Sequence, residues 1–316
     1  MKYCNYLLFS LFLIPLNSTL PQNLPKDEMV FIIGMEKTVN FTKIEKKKII
    51  DVCVQNGKSA DECNELFQYI FKINQYYFKV DSFYIDKYPI SIKSFFQYMD
   101  SINKTYPNFL ISNIIKKNDI KERLSEYPAF GMNWYEADGY CKSLGKRLPS
   151  SNEYLAVMYK GEVFPFDNYK IYNTRVRNKK DDFLLEPIGN NSLDVGNGGI
   201  VDVYGNLIEW TCTNRCQSFS HKQMFNVNFR ESIPDNHNGE TIVLFGFPSR
   251  QHVLGKASCS SEDAILKGGS YASDIRSLFI FNEEIIPMKF SAGIFGFRCA
   301  RDAFEAQESN NSNSEQ

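Results

Sequence analysis

The stretch VDVYGNLIEW, residues 201–210, sets a Tyr-Gly-Asn turn between two carboxylates and ends on one of the chain's 2 tryptophans. Asp202 and Glu209 flank Gly205. A hard cation takes such carboxylates together with main-chain carbonyls at about 2.3–2.6 Å, which makes calcium one reading of the turn. The other is a plain turn, with Trp210 in the core and Glu209 capping backbone amides. Outward from this stretch, the residues on either side alternate between well-punctuated helices upstream and short, turn-rich strands downstream.

Upstream, the clearest signals are capping boxes, in which a serine or asparagine side chain and a glutamate three residues on satisfy each other's backbone amides. Ser150 and Glu153 open a helix running to about Tyr159. Asn133 and Glu136 open one over Trp134–Leu144 that Gly145 stops. Ser59 and Glu62 open one that the apolar positions Leu66, Phe67, Ile70 and Phe71 extend to Ile73. A further helix is expected over Ile92–Ile102. Another covers Lys43–Val54, with Ile44, Ile49, Ile50 and Cys53 on its apolar face and Lys46–Lys48 on a solvated one. The two helices nearest the amino end, Lys43–Val54 and Ser59–Ile73, read as an inserted helical hairpin, about 41–75. Strands are expected in EMVFIIG (28–34) and across Tyr76–Ser91, which is rich in β-branched and aromatic residues. From Gly161 to Arg301 short strands and Asn, Gly and Asp turns prevail, and the polar tail from Glu305 reads as disordered. Helices gathered in the first half, with strands and loops after them, imply an α+β fold.

Composition limits the function. The 316 residues carry 36 Lys plus Arg against 37 Asp plus Glu, so there is no basic footprint for nucleic acid. At the amino end Lys2, the apolar run Tyr6–Leu16 and then Asn17, Ser18 and Thr19 follow the order of a signal peptide, assigned to residues 1–18. The run is too short to span a bilayer, and no later segment is long and apolar enough to do so. An exported chain, whether periplasmic, at the cell surface or secreted, is therefore expected, with cysteines in an oxidising compartment. Seven remain after the leader: Cys53, Cys63, Cys141, Cys212, Cys216, Cys259 and Cys299. Cys53 and Cys63 flank a short polar loop that a disulfide would close, although connectivity is not set by sequence. Zinc at Cys212 and Cys216 would lack the second ligand pair that a tetrahedral site needs.

Six blocks, EMVFIIG, VDSFYIDKYPIS, PAFGMNWYEADGYCKSLGKRLPSSNEYLAVMY, VDVYGNLIEWT, LKGGSYAS and GFRCARD, resemble in order and spacing the sulfatase-modifying-factor family, whose best-known member is the formylglycine-generating enzyme. The resemblance covers roughly residues 27–303 and leaves the helical insert unmatched. It implies a variant of the C-type-lectin architecture. It also implies a calcium turn made by Asp202, the carbonyls of Gly205 and Leu207, and Glu209. A disulfide between Cys141 and Cys299 is implied as well, and Cys259 then has Cys212 or Cys216 as its partner.

Family enzymes that oxidise a client sulfatase cysteine carry two cysteines five positions apart between the Gly-Gly-Ser and Gly-Phe-Arg blocks, where the thiolates bind copper(I). Here that window, Ala272–Phe295, has none. The two positions fall near Leu278 or Phe279 and Glu283 or Glu284, and Met288 is the single sulfur. Copper is not expected. The family's iron-dependent sulfoxide synthases take histidines from an amino-terminal helical domain, whereas the histidines here are His221, His237 and His252. The expected role is thus a non-catalytic, calcium- and disulfide-stabilised module binding an extracytoplasmic protein, peptide or glycan. Thr213–Ala257 and the altered window would form its surface, with Ser270 and Arg276 nearby. The competing expectation is an oxidoreductase of formylglycine-generating type.

Overall fold

Local capping decides where the helices begin. In the computed structural model, which describes residues 28–40, 42–55, 57–68, 71, 75–104, 123–161, 185–214, 262–271, 273 and 279–303, all three boxes close. Ser59 and Glu62 start α2 (Ala60–Phe67), Asn133 and Glu136 start α4 (Trp134–Ser143), and Ser150 and Glu153 start α5 (Ser151–Met158). Gly145, at φ +66°, follows the end of α4 in the left-handed conformation that ends helices. α1 (Lys43–Gln55) and α3 (Ile92–Ser101) lie where the sequence places them, α3 capped by the Ser91 hydroxyl. Two expectations change. α2 stops at Phe67 rather than Ile73, because Gln68 bonds back to Glu65 and strand β3 begins at Gln75. Ile44 is 81% exposed and takes no part in the apolar face of α1, which is made by Ile49, Val52 and Cys53.

Among the described residues the strands form three small sheets. β1 (Met29–Ile32) and β9 (Ala300–Asp302) flank β4 (Phe83–Asp86), both antiparallel to it. β2 (Met35–Asn40) pairs with β3 (Gln75–Val80), and the α1–α2 hairpin lies between them in the chain. The third sheet runs β7 (Glu284–Pro287), β6 (Asp263–Lys267), β5 (Ile208–Asn214), β8 (Phe295–Gly296), with β5 and β8 parallel.

Helix α5 is buried at every residue but Asn152 and packs beside β3, β5 and β6. A second cluster gathers Phe95, Tyr140, Trp210, Phe295 and Phe297 between α3, α4 and the third sheet. Two disulfides staple these layers. Cys53–Cys63 closes the α1–α2 hairpin, and Cys141–Cys299 joins α4 to the residue before β9 across a separation of 158. A loop of that length corresponds to about 5 kcal/mol in the chain-entropy account.

Candidate functional site

Two blocks of the sequence, VDVYGNLIEW and LKGGSYAS, are bound together by their main chains. Gly269 N–H donates to Tyr204 O (3.1 Å) and Tyr271 N–H to Asn206 O (3.0 Å). Gly268 sits at φ +81°, and a Cβ there would meet Val203 O at 2.8 Å, so only glycine allows this approach. Asp202 and Asn206 are left-handed as well, at φ +55° and +66°, which short polar side chains tolerate.

The turn is fixed by protein groups. Asp194 Oδ1 accepts from the N–H groups of Val203 and Tyr204, both at 2.8 Å, and Asp202 Oδ2 accepts from Gly189 N–H at 2.8 Å. The Asn206 amide brackets Glu186, accepting from its N–H and donating to its carbonyl. Glu209 is held by Arg298, whose Nε donates to Oε2 at 2.7 Å and whose Nη2 donates to Oε1 at 2.8 Å. Arg298 is wholly buried and also donates to the carbonyls of Val201 (2.9 Å) and Asp202 (3.2 Å). Burial pushes the Glu209 carboxyl upward while the guanidinium pulls it back, and both partners are fully enclosed.

Held in this way, Asp202, Gly205, Leu207 and Glu209 do not fit the expected calcium ion. Both oxygens of Glu209 face a cation that already neutralises them. The Gly205 carbonyl accepts from Leu207 N–H at 2.9 Å, and the Asp202 carbonyl accepts from Arg298. Among the described residues no three acidic, histidine or cysteine side chains group to hold a metal. Trp210 is fully buried, as the plain-turn reading has it, and among the described residues Glu209 pairs with Arg298 rather than capping an amide.

From Phe279 onward, the window downstream of the Gly-Gly-Ser block turns apolar side chains into the core. Phe279, Ile280 and Phe281 enter the main core, Tyr76 stacks on Phe281 with centroids 4.2 Å apart, and Glu283 is buried beside them. Burial and the Glu283 carboxylate together raise the Tyr76 phenol well above its ordinary range. Lys267, at the end of β6 and 1% exposed, donates from Nζ to Ile280 O (2.8 Å) and Asn282 O (3.0 Å), tying the segment down by its backbone. Of the positions that the resemblance gives to a thiolate pair, Phe279 and Glu283 are buried and Glu284 opens β7, and Met288 is buried in the second cluster. Leu278 lies outside the described residues.

Other expected site residues are distributed unevenly. Ser270 is buried, its hydroxyl 2.9 Å from that of Ser273. Arg276, Cys216, Cys259, the three histidines, residues 1–18 and most of Thr213–Ala257 fall outside the described residues. Cys212 is a free thiol among the described residues, half-buried near Arg147 and Glu153, and burial pushes it up to about 11. The roles of Arg298 and Lys267 were not read from the sequence. The available signal was their setting, one between the core residues Phe297 and Cys299 and the other at the end of the apolar run Ala-Ile-Leu.

Residues 24–303 match the family described as the sulfatase-modifying factor enzyme 1-like domain. Among solved structures, PvdO from Pseudomonas aeruginosa is similar with a TM-score of 0.51 at 15% identity, over 87% of this chain and 94% of that one. CarF is similar with a TM-score of 0.48 at 12% identity, over 88% and 98%. Over 229 residues the chain is 26% identical to serine/threonine-protein kinase pkn1 of Chlamydia pneumoniae, covering 69% of this chain and 33% of the kinase. The chain therefore spans about a third of the length of that curated relative.

Proposed function

The chain belongs to the family of sulfatase-modifying factor enzyme 1-like domains, and on that premise we propose that it is a non-catalytic member, an exported module that binds a protein, peptide or glycan. One observation carries the reading. The segment that would have to present a thiolate pair instead sends Phe279, Ile280 and Phe281 into the core and is fastened there by Lys267. Copper(I) selects soft sulfur ligands, and a buried phenylalanine with a carboxylate four positions on offers none. Glu283 cannot substitute: its hard oxygen suits magnesium, calcium or manganese.

What remains is a frame suited to recognition, in which loops are displayed from a core held by two disulfides and the Arg298–Glu209 pair. The recognition surface is assigned to Thr213–Ala257 with Arg276. Similarity to one third of a longer protein-kinase chain supports a module that serves a larger protein's function rather than one chemistry. Export is supported by the pattern of residues 1–18 and by the two disulfides. No helix among the described residues is long and apolar enough to cross a membrane.

The test is to probe a glycan array and a displayed random-peptide library with the intact mature chain, and in parallel to incubate it with copper(I), oxygen and a Cys-x-Pro-x-Arg peptide. Selective binding with the peptide thiol intact is the expected result. Conversion of that thiol to an aldehyde refutes the reading.

A further inference from the structure

A pocket of about 300 Å³ opens between α3 and α4, where Tyr98 meets Tyr140 edge to face with ring centroids 5.4 Å apart. That volume is at the lower end of small-molecule sites, which sets the guest at about one ring. Gln97, Tyr98 and Ser101 of α3 line it, and α4 adds Tyr140, Ser143 and Leu144. Gly139 lets the two helices share the Tyr98 phenol. It sits inside α4, where glycine is less favourable than alanine, and a Cβ there would meet Tyr98 Oη at 2.6 Å.

None of the described wall residues is charged, although 23% of the chain is. The acids closest in sequence are engaged elsewhere: Asp138 pairs with Lys142 at 2.8 Å, and Glu136 closes its capping box. An anion would find no cation in this pocket and a cation no carboxylate, and an ion taken out of water without a partner is unfavourable. The polar groups are hydroxyls and an amide. Ser101 Oγ donates to Tyr98 O and Ser143 Oγ to Tyr140 O, both at 2.7 Å, so each commits its hydrogen to its own helix and offers a guest only lone pairs. Gln97 is exposed and makes no hydrogen bond to another described residue, which leaves its amide open to donate and to accept. Leu144, 47% exposed, adds an apolar rim. Uncharged acceptors beside tyrosine rings suit a ring that carries hydroxyl donors at its edge and C–H groups on its face.

We propose that the α3–α4 pocket binds a neutral sugar ring, a hexose unit of a glycan, without a metal ion. The site goes beyond the recognition surface assigned above: it uses neither Thr213–Ala257 nor Arg276, and it holds whether or not the chain is catalytic.

The experiment titrates the intact chain with the methyl glycosides of glucose, galactose, mannose and N-acetylglucosamine, read by saturation-transfer NMR and calorimetry, with methyl glucuronide and inorganic phosphate as charged controls. At least one neutral glycoside should bind with millimolar affinity and do so equally in the presence of a chelator. Gln97→Ala, at an exposed position, should weaken that binding about fivefold. Gly139→Ala, which favours the helix but displaces the Tyr98 phenol, should weaken it about tenfold with the helical circular dichroism retained. No binding of any neutral glycoside up to about 20 mM, preference for a charged control, or loss of binding on chelation overturns the proposal. Neutral binding that neither variant weakens also overturns it, since the sugar is then held elsewhere, and that outcome leaves the binding-module reading standing.

Discussion

Replacing Arg298 by methionine removes the cation from the centre of the turn. Six hydrogen-bond contacts, shared among five N–H groups, end: two to Glu209, one each to the carbonyls of Val201 and Asp202, and one each to those of Asp86 and Lys87. Glu209 is then left at 1% exposure, near the fully buried Asp194, without a counter-charge. Breaking one side of a buried pair costs about 3–5 kcal/mol, because the remaining charge stays desolvated. For a chain of this size each kcal/mol corresponds to about 2 °C, so the midpoint should fall by about 6–10 °C. Circular dichroism melts of wild type, Arg298→Met, Glu209→Gln and the double variant give the comparison. The double variant should recover part of the loss, because it leaves no orphaned carboxylate. A chelator should leave the wild-type midpoint unmoved, since the guanidinium supplies the charge that a divalent ion would bring. A loss below about 1 kcal/mol in Arg298→Met, the level of an exposed ion pair, refutes the reasoning. A wild-type midpoint that drops on chelation and recovers with calcium refutes it equally.

Three further outcomes are expected. Lys267→Met removes a buried ammonium from Ile280 O and Asn282 O and should cost about 2–4 kcal/mol, with faster amide exchange over 279–283; equal exchange there contradicts its role as a fastener. Cys141→Ser with Cys299→Ser should lower stability to denaturant by about 2–5 kcal/mol, and a loss under about 1 kcal/mol would show that the long loop is held by other means. The Cys212 thiol is raised by burial, so its share of stability is complete below the ordinary thiol value near 9 and is lost as pH rises through about 11. Alkylation mapped to Cys212 should therefore show a midpoint near pH 11, and a midpoint at or below 9 contradicts it.

The helices were legible in the sequence because their start signals are local: a serine or asparagine and a glutamate three positions apart specify Ser59, Asn133 and Ser150 as caps without any distant residue. The turn at Tyr204–Asn206 was legible for the same reason, since glycine and asparagine carry their conformational freedom with them. The partner of Glu209 was not. Arg298 lies 89 positions away, and only the parallel pairing of β5 with β8 brings the two blocks together. Metal and guanidinium satisfy the same carboxylate, so the turn by itself does not distinguish them. Lys267 was hidden by the usual rule that lysine stays in water, which fails here because backbone carbonyls of the next segment receive its ammonium. The burial of Ser270 follows from the Gly268 and Gly269 contacts that draw its block toward the turn, contacts between blocks more than 60 positions apart.

The central claim, that the segment following the Gly-Gly-Ser block is core rather than a metal site, is tested most directly by anaerobic titration of the reduced, intact chain with copper(I) against a chromophoric chelator, followed by oxygen uptake on adding the Cys-x-Pro-x-Arg peptide. The account predicts that the chelator keeps the metal and that oxygen is not consumed. One equivalent of copper(I) withdrawn from the chelator, with oxygen consumed as the peptide thiol disappears, contradicts it.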